Sequence, residues 1–133
     1  MAGFAFELVS PEKLLFSGDV EEVVVPGTEG DFAVLKDHAP VISALRPGVL
    51  SYKDSKGEKQ ILFVRGGFAD VSANGLIVLA EQAVPLADMN DERFAHEVKL
   101  ASDELASAQT EDSRRLASER LAQIETLRGV VRH

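Results

Sequence analysis

The 133-residue chain has no cysteine and no tryptophan. Without thiols there is no disulfide, no thiolate nucleophile and no thiolate metal ligand, whatever the compartment. Aromatic residues make up 6% of the chain, so Val, Leu, Ile and Phe must fill the core, and a large aromatic-lined pocket is unsupported. Cationic excess is missing too: 14 Lys and Arg stand against 22 Asp and Glu, a formal charge of −8. A binder of phosphate backbones needs the opposite balance, so nucleic acid is excluded as a partner. An anionic lipid surface would also repel this chain, whereas a basic protein partner suits it. No apolar run approaches the roughly 20 residues of a membrane span. Met1 to Ser10 has neither a basic start nor a continuous apolar stretch, so no signal peptide is expected.

Catalytic constellations are equally scarce. His38, His96 and His133 are far apart and no HExxH spacing occurs, so no zinc site is expected. Asp37 and His38 are adjacent in an extended segment, which points them to opposite sides and argues against a catalytic pair. Gly27-Thr28-Glu29-Gly30 lacks the Gly-Lys-Ser/Thr ending of a phosphate loop, and Glu29 and Asp31 would repel phosphate. It reads as a tight turn.

What the chain does contain is patterned. Apolar residues at 45% suffice for a small core, in one domain or one domain with an appendage. Phe4, Phe6 and Leu8 alternate with Ala5, Glu7 and Val9 as a first strand. Leu14-Leu15-Phe16 resumes the pattern, Ser17-Gly18-Asp19 reads as a bend or bulge, and Val20 to Val25 completes that arm. Pro26 is expected to end pairing. Asp31 to Leu35 and Val41 to Leu45 are two short strands separated by Lys36–Pro40, and Arg46-Pro47-Gly48 closes the second. Val49 to Lys53 and Gln60 to Val64 flank the polar turn Asp54–Gly57. Arg65-Gly66-Gly67 permits a sharp change of direction, and Phe68 to Ser72 and Leu76 to Ala80 flank an Asn74-Gly75 hairpin signal. Strands at this spacing predict an all-β sandwich or barrel over about residues 1–85.

After Val84-Pro85 the character changes. From Asn90 onward there is no proline, Gly129 is the one glycine, and strong helix formers dominate. Phe94, Val98, Ala101, Leu105 and Ala108 share one helical face, with Asn90 as N-cap. Gln109–Asp112 is a short connection in which Thr110 or Asp112 caps a second helix, striped by Leu116, Ala117, Leu121, Ile124 and Leu127. Residues 90–133 therefore predict an antiparallel helical hairpin. The fold class is thus an N-terminal β-sandwich followed by two helices.

GTEGDFAVLKDHAPVISALRPG, with FELVSPEKLLFSGDVEEVVVP before it and Phe63–Phe68 after it, resembles the epsilon subunit of bacterial F-type ATP synthases over nearly the whole chain. The resemblance implies a non-catalytic rotor subunit at the foot of the central stalk. It would bridge the gamma subunit to the c ring on the cytoplasmic face of the bacterial inner membrane, held there by partner subunits. It also implies that Glu29, Gly30, Asp31 and His38 face the c ring. Family members that bind ATP carry Ile/Leu-Asp-x-x-Arg-Ala at the start of the first helix. Here Met89-Asn90-Asp91-Glu92-Arg93-Phe94 keeps Arg93 but places Asn90 and Phe94 where the family has Asp and Ala, so no ATP cofactor is expected. For Arg114, Arg115, Arg120 and Arg128 two readings stand. One is a solvated face with local Glu partners. The other, implied by the resemblance, is an inhibitory helix that contacts the alpha and beta catalytic subunits. The alternative function is a free small-ligand-binding sandwich module.

Overall fold

The computed structural model describes residues 3–131; His133, named above, lies outside them. The chain divides into two compact units, the first ending at Leu86 and the second beginning at Ala87.

The first unit contains β1 (Phe4–Val9), β2 (Leu14–Gly27), β3 (Gly30–Val34), β4 (Val41–Asp54), β5 (Lys59–Ser72), β6 (Gly75–Ala80) and β7 (Ala83–Pro85). Hydrogen-bonded neighbours run β1-β6-β5-β4-β2-β3, β7 joins β5, and β1 also pairs with β2, closing the sheet on itself. The result is a sandwich whose faces are continuous through long, bent strands. β1 and β6 are parallel, with Phe6 beside Leu76 and Leu8 beside Val78; the remaining pairs are antiparallel. Period-two alternation sends Phe6, Leu8, Val23, Val25, Leu50, Val64, Ala69, Val71, Leu76 and Val78 into one core. Tyr52 closes one part of it, its ring 5.3 Å from Phe6 and 4.6 Å from Phe16.

Several expected breaks are absent. β2 runs through Ser17-Gly18-Asp19, each paired with β1, and the irregularity falls instead at Leu15, between the Phe16 and Leu14 pairs. Pro26 does not end its strand: it pairs with Asp31 of β3 while the ladder to β4 skips it, so its missing N–H leaves no bond unmade. Arg46-Pro47-Gly48 does not close a strand either, since β4 stays in one register with β5 from Val41 opposite Val71 to Lys53 opposite Lys59. Gly66 and Gly67, with φ of 102° and 117°, let β5 bend opposite that proline. A Cβ on Gly67 would lie 1.8 Å from the Leu79 carbonyl oxygen, so only glycine fits. The β5–β6 turn is made by Ala73-Asn74; Gly75 already pairs with Ser72, its φ is 126°, and a Cβ there would lie 2.3 Å from the Ala5 carbonyl oxygen.

A 3-10 turn (Leu86–Asp88) spans the boundary between the units, followed by α1 (Asp91–Ser107) and α2 (Glu111–Val131), which fold back on each other. Asn90 Oδ1 accepts the Arg93 N–H at 2.9 Å, and Thr110 Oγ1 accepts the Ser113 N–H at 3.0 Å. Both caps satisfy donors that the first helical turn leaves open. Since Thr110 is the cap, Glu111 and Asp112 belong to α2 and sit near its positive end. Ala101, Ala117 and Ile124 are buried, but Leu116, expected in the α2 stripe, is 47% exposed. Neither helix is long and apolar enough to cross a membrane.

Candidate interaction site

The β2–β3 hairpin turns on Thr28 and Glu29, flanked by the Gly27–Gly30 pair. Gly30 has φ of 131°, the conformation that the spaced glycines predicted somewhere in this turn. Thr28, Glu29, Gly30 and Asp31 are all exposed. The tip is nevertheless tied to β4: the Thr28 N–H donates to the Ala44 carbonyl at 3.0 Å. Arg46 donates to the Gly27 carbonyl at 2.6 Å and to the Asp31 carboxylate at 2.5 Å. Asp31 therefore has an internal partner that its sequence neighbours did not reveal. Glu29 has no hydrogen-bond or ion-pair partner among the described residues.

His38 lies at the other end of β3, in the loop between Val34 and Val41. Asp37 has φ of 65°, a left-handed conformation that Asp tolerates better than most residues. The His38 Nδ1–H donates to the Ala39 carbonyl at 2.7 Å, because a carbonyl can only accept. In the neutral ring that leaves Nε2 as an acceptor. The imidazole also lies 6.3 Å from the Phe32 ring. A cleft of about 290 Å³, bordered by Leu35, Asp37, His38, Ser72 and Asn74, opens beside this loop. The structure sets these candidates at the two ends of a five-residue strand, Glu29 and Asp31 at the start of β3 and His38 beyond its end.

A further surface escaped the sequence reading. On the outward side of β4, β5 and β6, Ile42 is 71% exposed, with Phe68 and Ile77 each 42% and Leu79 38%. The register groups them: Ile42 and Ile77 both pair with Asp70, and Ala44 and Leu79 both pair with Phe68. Exposed apolar side chains gathered across three strands mark a contact surface more often than scattered ones do. The signal was present in the alternation, where the outward positions around Asp70 carry Ile, Phe and Leu.

In the second unit, Asn90 spends its side-chain oxygen on the helix cap, and Arg93 is exposed. Arg114 and Arg115 are exposed, the latter 3.7 Å from Asp112. Arg120 reaches across to Glu104 of α1 at 2.8 Å, so it joins the two helices. Arg128 is half-buried near the end of α2. Among the described residues no cluster of three His, Cys, Asp or Glu could hold a metal ion.

Comparison with known proteins puts these surfaces in context. Residues 3–86 match the family model described as "ATP synthase, Delta/Epsilon chain, beta-sandwich domain". The ATP synthase epsilon chain of Parvibaculum lavamentivorans is 48% identical over 126 residues, 95% of this chain and 96% of that one. That of Maricaulis maris is 44% identical over 128 residues, again 96% of each chain. Among solved structures, a chain of the Euglena gracilis mitochondrial ATP synthase (OSCP/F1/c-ring) superposes with a TM-score of 0.74 at 25% identity, covering 98% of this chain and 82% of that one. A chain of the Tetrahymena thermophila mitochondrial ATP synthase central stalk/c-ring shares the fold, with a TM-score of 0.68 at 15% identity and 96% coverage of each chain.

Proposed function

Because the chain belongs to the ATP synthase epsilon-chain family, a stalk subunit and not the catalytic one, we propose that it joins the gamma subunit to the c ring at the foot of the rotating central stalk. The sandwich is the mechanical joint, transmitting torque during ATP synthesis. The helical hairpin is a regulatory arm whose arginines, Arg114, Arg115, Arg120 and Arg128, suit acidic surfaces of the alpha and beta catalytic subunits, and through them inhibition of ATP hydrolysis. The protein is peripheral, held at the cytoplasmic face of the bacterial inner membrane by its partners.

The observation that carries this reading is the apolar outer face of β4, β5 and β6. A rotor joint must resist shear, and burial of about 25 cal/mol per Å² of apolar surface gives a firmer grip than screened surface charges. We assign this face to the gamma subunit and the hairpin tip around Glu29, with the His38 loop, to the c ring.

The test replaces Ile42 and Phe68 together by Ser. Both side chains are exposed, so the isolated fold should change by no more than about 1 kcal/mol. In membranes reconstituted with the variant, co-purification with the multisubunit ATPase should fall and ATP-driven proton pumping should be lost. A variant retained in the complex at the parent's level, with normal coupling, would remove this face from the interface.

A further inference from the structure

The β2–β4 ladder has a gap. Pairing passes from Val24 opposite Ser51 directly to Gly27 opposite Leu45. Pro26 lies in the gap on one strand and Pro47 on the other, and neither has an N–H to offer. A Cβ on Gly48 would stand 3.0 Å from the Pro26 Cβ, so the proline ring lies close against that backbone. Beyond the gap, the backbone ties the last turn of the β2–β3 hairpin to β4 through the Gly27–Leu45 pair and the Thr28 N–H bond to the Ala44 carbonyl.

Arg46 spans the interruption. One guanidinium nitrogen donates to the Gly27 carbonyl at 2.6 Å and the other to Asp31 at 2.5 Å, so one planar group grips both arms of the hairpin beside its turn. The Arg46 side chain is 27% exposed and the Asp31 side chain 56%, so water screens the carboxylate side of the pair and the bond to the Gly27 carbonyl is the less exposed half of the grip. Gly27 leaves no slack: a Cβ there would meet the Gly30 carbonyl oxygen at 2.9 Å and the Phe32 ring and Ser43 hydroxyl at 3.1 Å. The clamp also alters the charge the tip presents. Asp31 is paired with Arg46, and Glu29 is the tip carboxylate that has no ion-pair partner among the described residues.

We propose that Arg46 is the positioning residue of a docking tip, with Asp31 as its anchor and Glu29 as the group offered to a basic partner segment. This rests on the rotor reading above. A tip already held in its bound shape avoids the ordering cost that a loose hairpin would add to binding. Lysine cannot replace Arg46, because a point charge does not hold a carbonyl and a carboxylate at once in a planar fork.

The experiment uses the full-length chain and membranes stripped of this subunit, with R46K, R46A and E29Q beside the parent. Hydrogen exchange of the Thr28, Glu29 and Gly30 amides reads the order of the tip; co-sedimentation at increasing salt reads docking. R46K should exchange about tenfold faster at the tip and dock about tenfold more weakly, with its salt dependence unchanged. E29Q should exchange like the parent and dock with a shallower salt dependence. The positioning role is overturned if R46K exchanges at the parent's rate, or exchanges faster yet docks within about twofold of it. R46K retains the charge and decides the matter even if R46A does not fold. A parent chain that fails to dock sinks the rotor reading and this role with it; a parent that docks beside an unaffected R46K sinks the positioning role alone.

Discussion

Burial pushes the Tyr52 hydroxyl above its ordinary value of 10.0, and the nearby Asp54 carboxylate adds to the effect by opposing a second negative charge. The folded state therefore favours the neutral phenol more than the unfolded chain does. That preference contributes its full stability below pH 10.0 and loses it as pH rises through the raised value. Tyr52 is the one tyrosine and there is no tryptophan, so phenolate absorbance reports this group alone. The expected titration midpoint lies above 10.0 in the folded chain and returns to 10.0 in urea. A folded-state midpoint at the ordinary value would mean that water reaches the ring. Residue identity alone named Tyr52 as an aromatic in a strand; its packing on Phe6 and Phe16 is what moves its proton.

Helix ends illustrate how local elements are specified. Asn90 three residues before Arg93 is legible as a cap because the bond it makes spans one turn. Replacing it with Ala should destabilise the second unit by about 1 kcal/mol and lower helical circular dichroism on heating, while Asp in its place should restore both. If the Ala variant melts like the parent, the cap observed here carries no weight in solution. The helix faces were less legible. Leu116 belongs to an apolar stripe by spacing yet is exposed, while Arg120 in the same stripe is half-buried against Glu104. Ala101, Ala117 and Ile124 are buried while Leu121 and Leu127 are half-buried, which leaves Leu116 and Arg120 at the rim of the stripe. An arginine stem can lie along such a rim with its head in water.

At the scale of the molecule, the sandwich holds its own core. Every residue of the main buried cluster, from Phe6 to Ala80, belongs to the first unit, and the sheet closes through β1 without help from the helices. A chain ending at Asp88 is expected to unfold cooperatively, with β-type circular dichroism and a thermal midpoint near that of the full-length sandwich. A disordered product would show that the helices are required for the fold. Hydrophobic burial at this size leaves a small net stability, on the order of 5–15 kcal/mol for any such domain.

The sequence by itself determined what neighbouring residues can settle. Period-two alternation set β1 and β6, glycine and Asx chemistry marked the turns, proline and glycine depletion after residue 89 announced the helices, and spaced motifs carried the family resemblance. Only the tertiary structure decided whether a breaker truly breaks. Pro47 and the Gly66-Gly67 pair look like strand ends in isolation, yet Pro47 stands opposite Arg65 and Gly67 opposite Leu45, so they fall side by side in one ladder and become the bend of two continuous strands. Asp31 reads as a free acid until Arg46, fifteen residues away, is folded against it. The apolar face appears once three strands are in register and place Ile42, Phe68, Ile77 and Leu79 on one side. Turns and caps bond within one local segment, whereas bends, clamps and faces depend on which distant strands become neighbours, and that is chosen by the packing of the whole core.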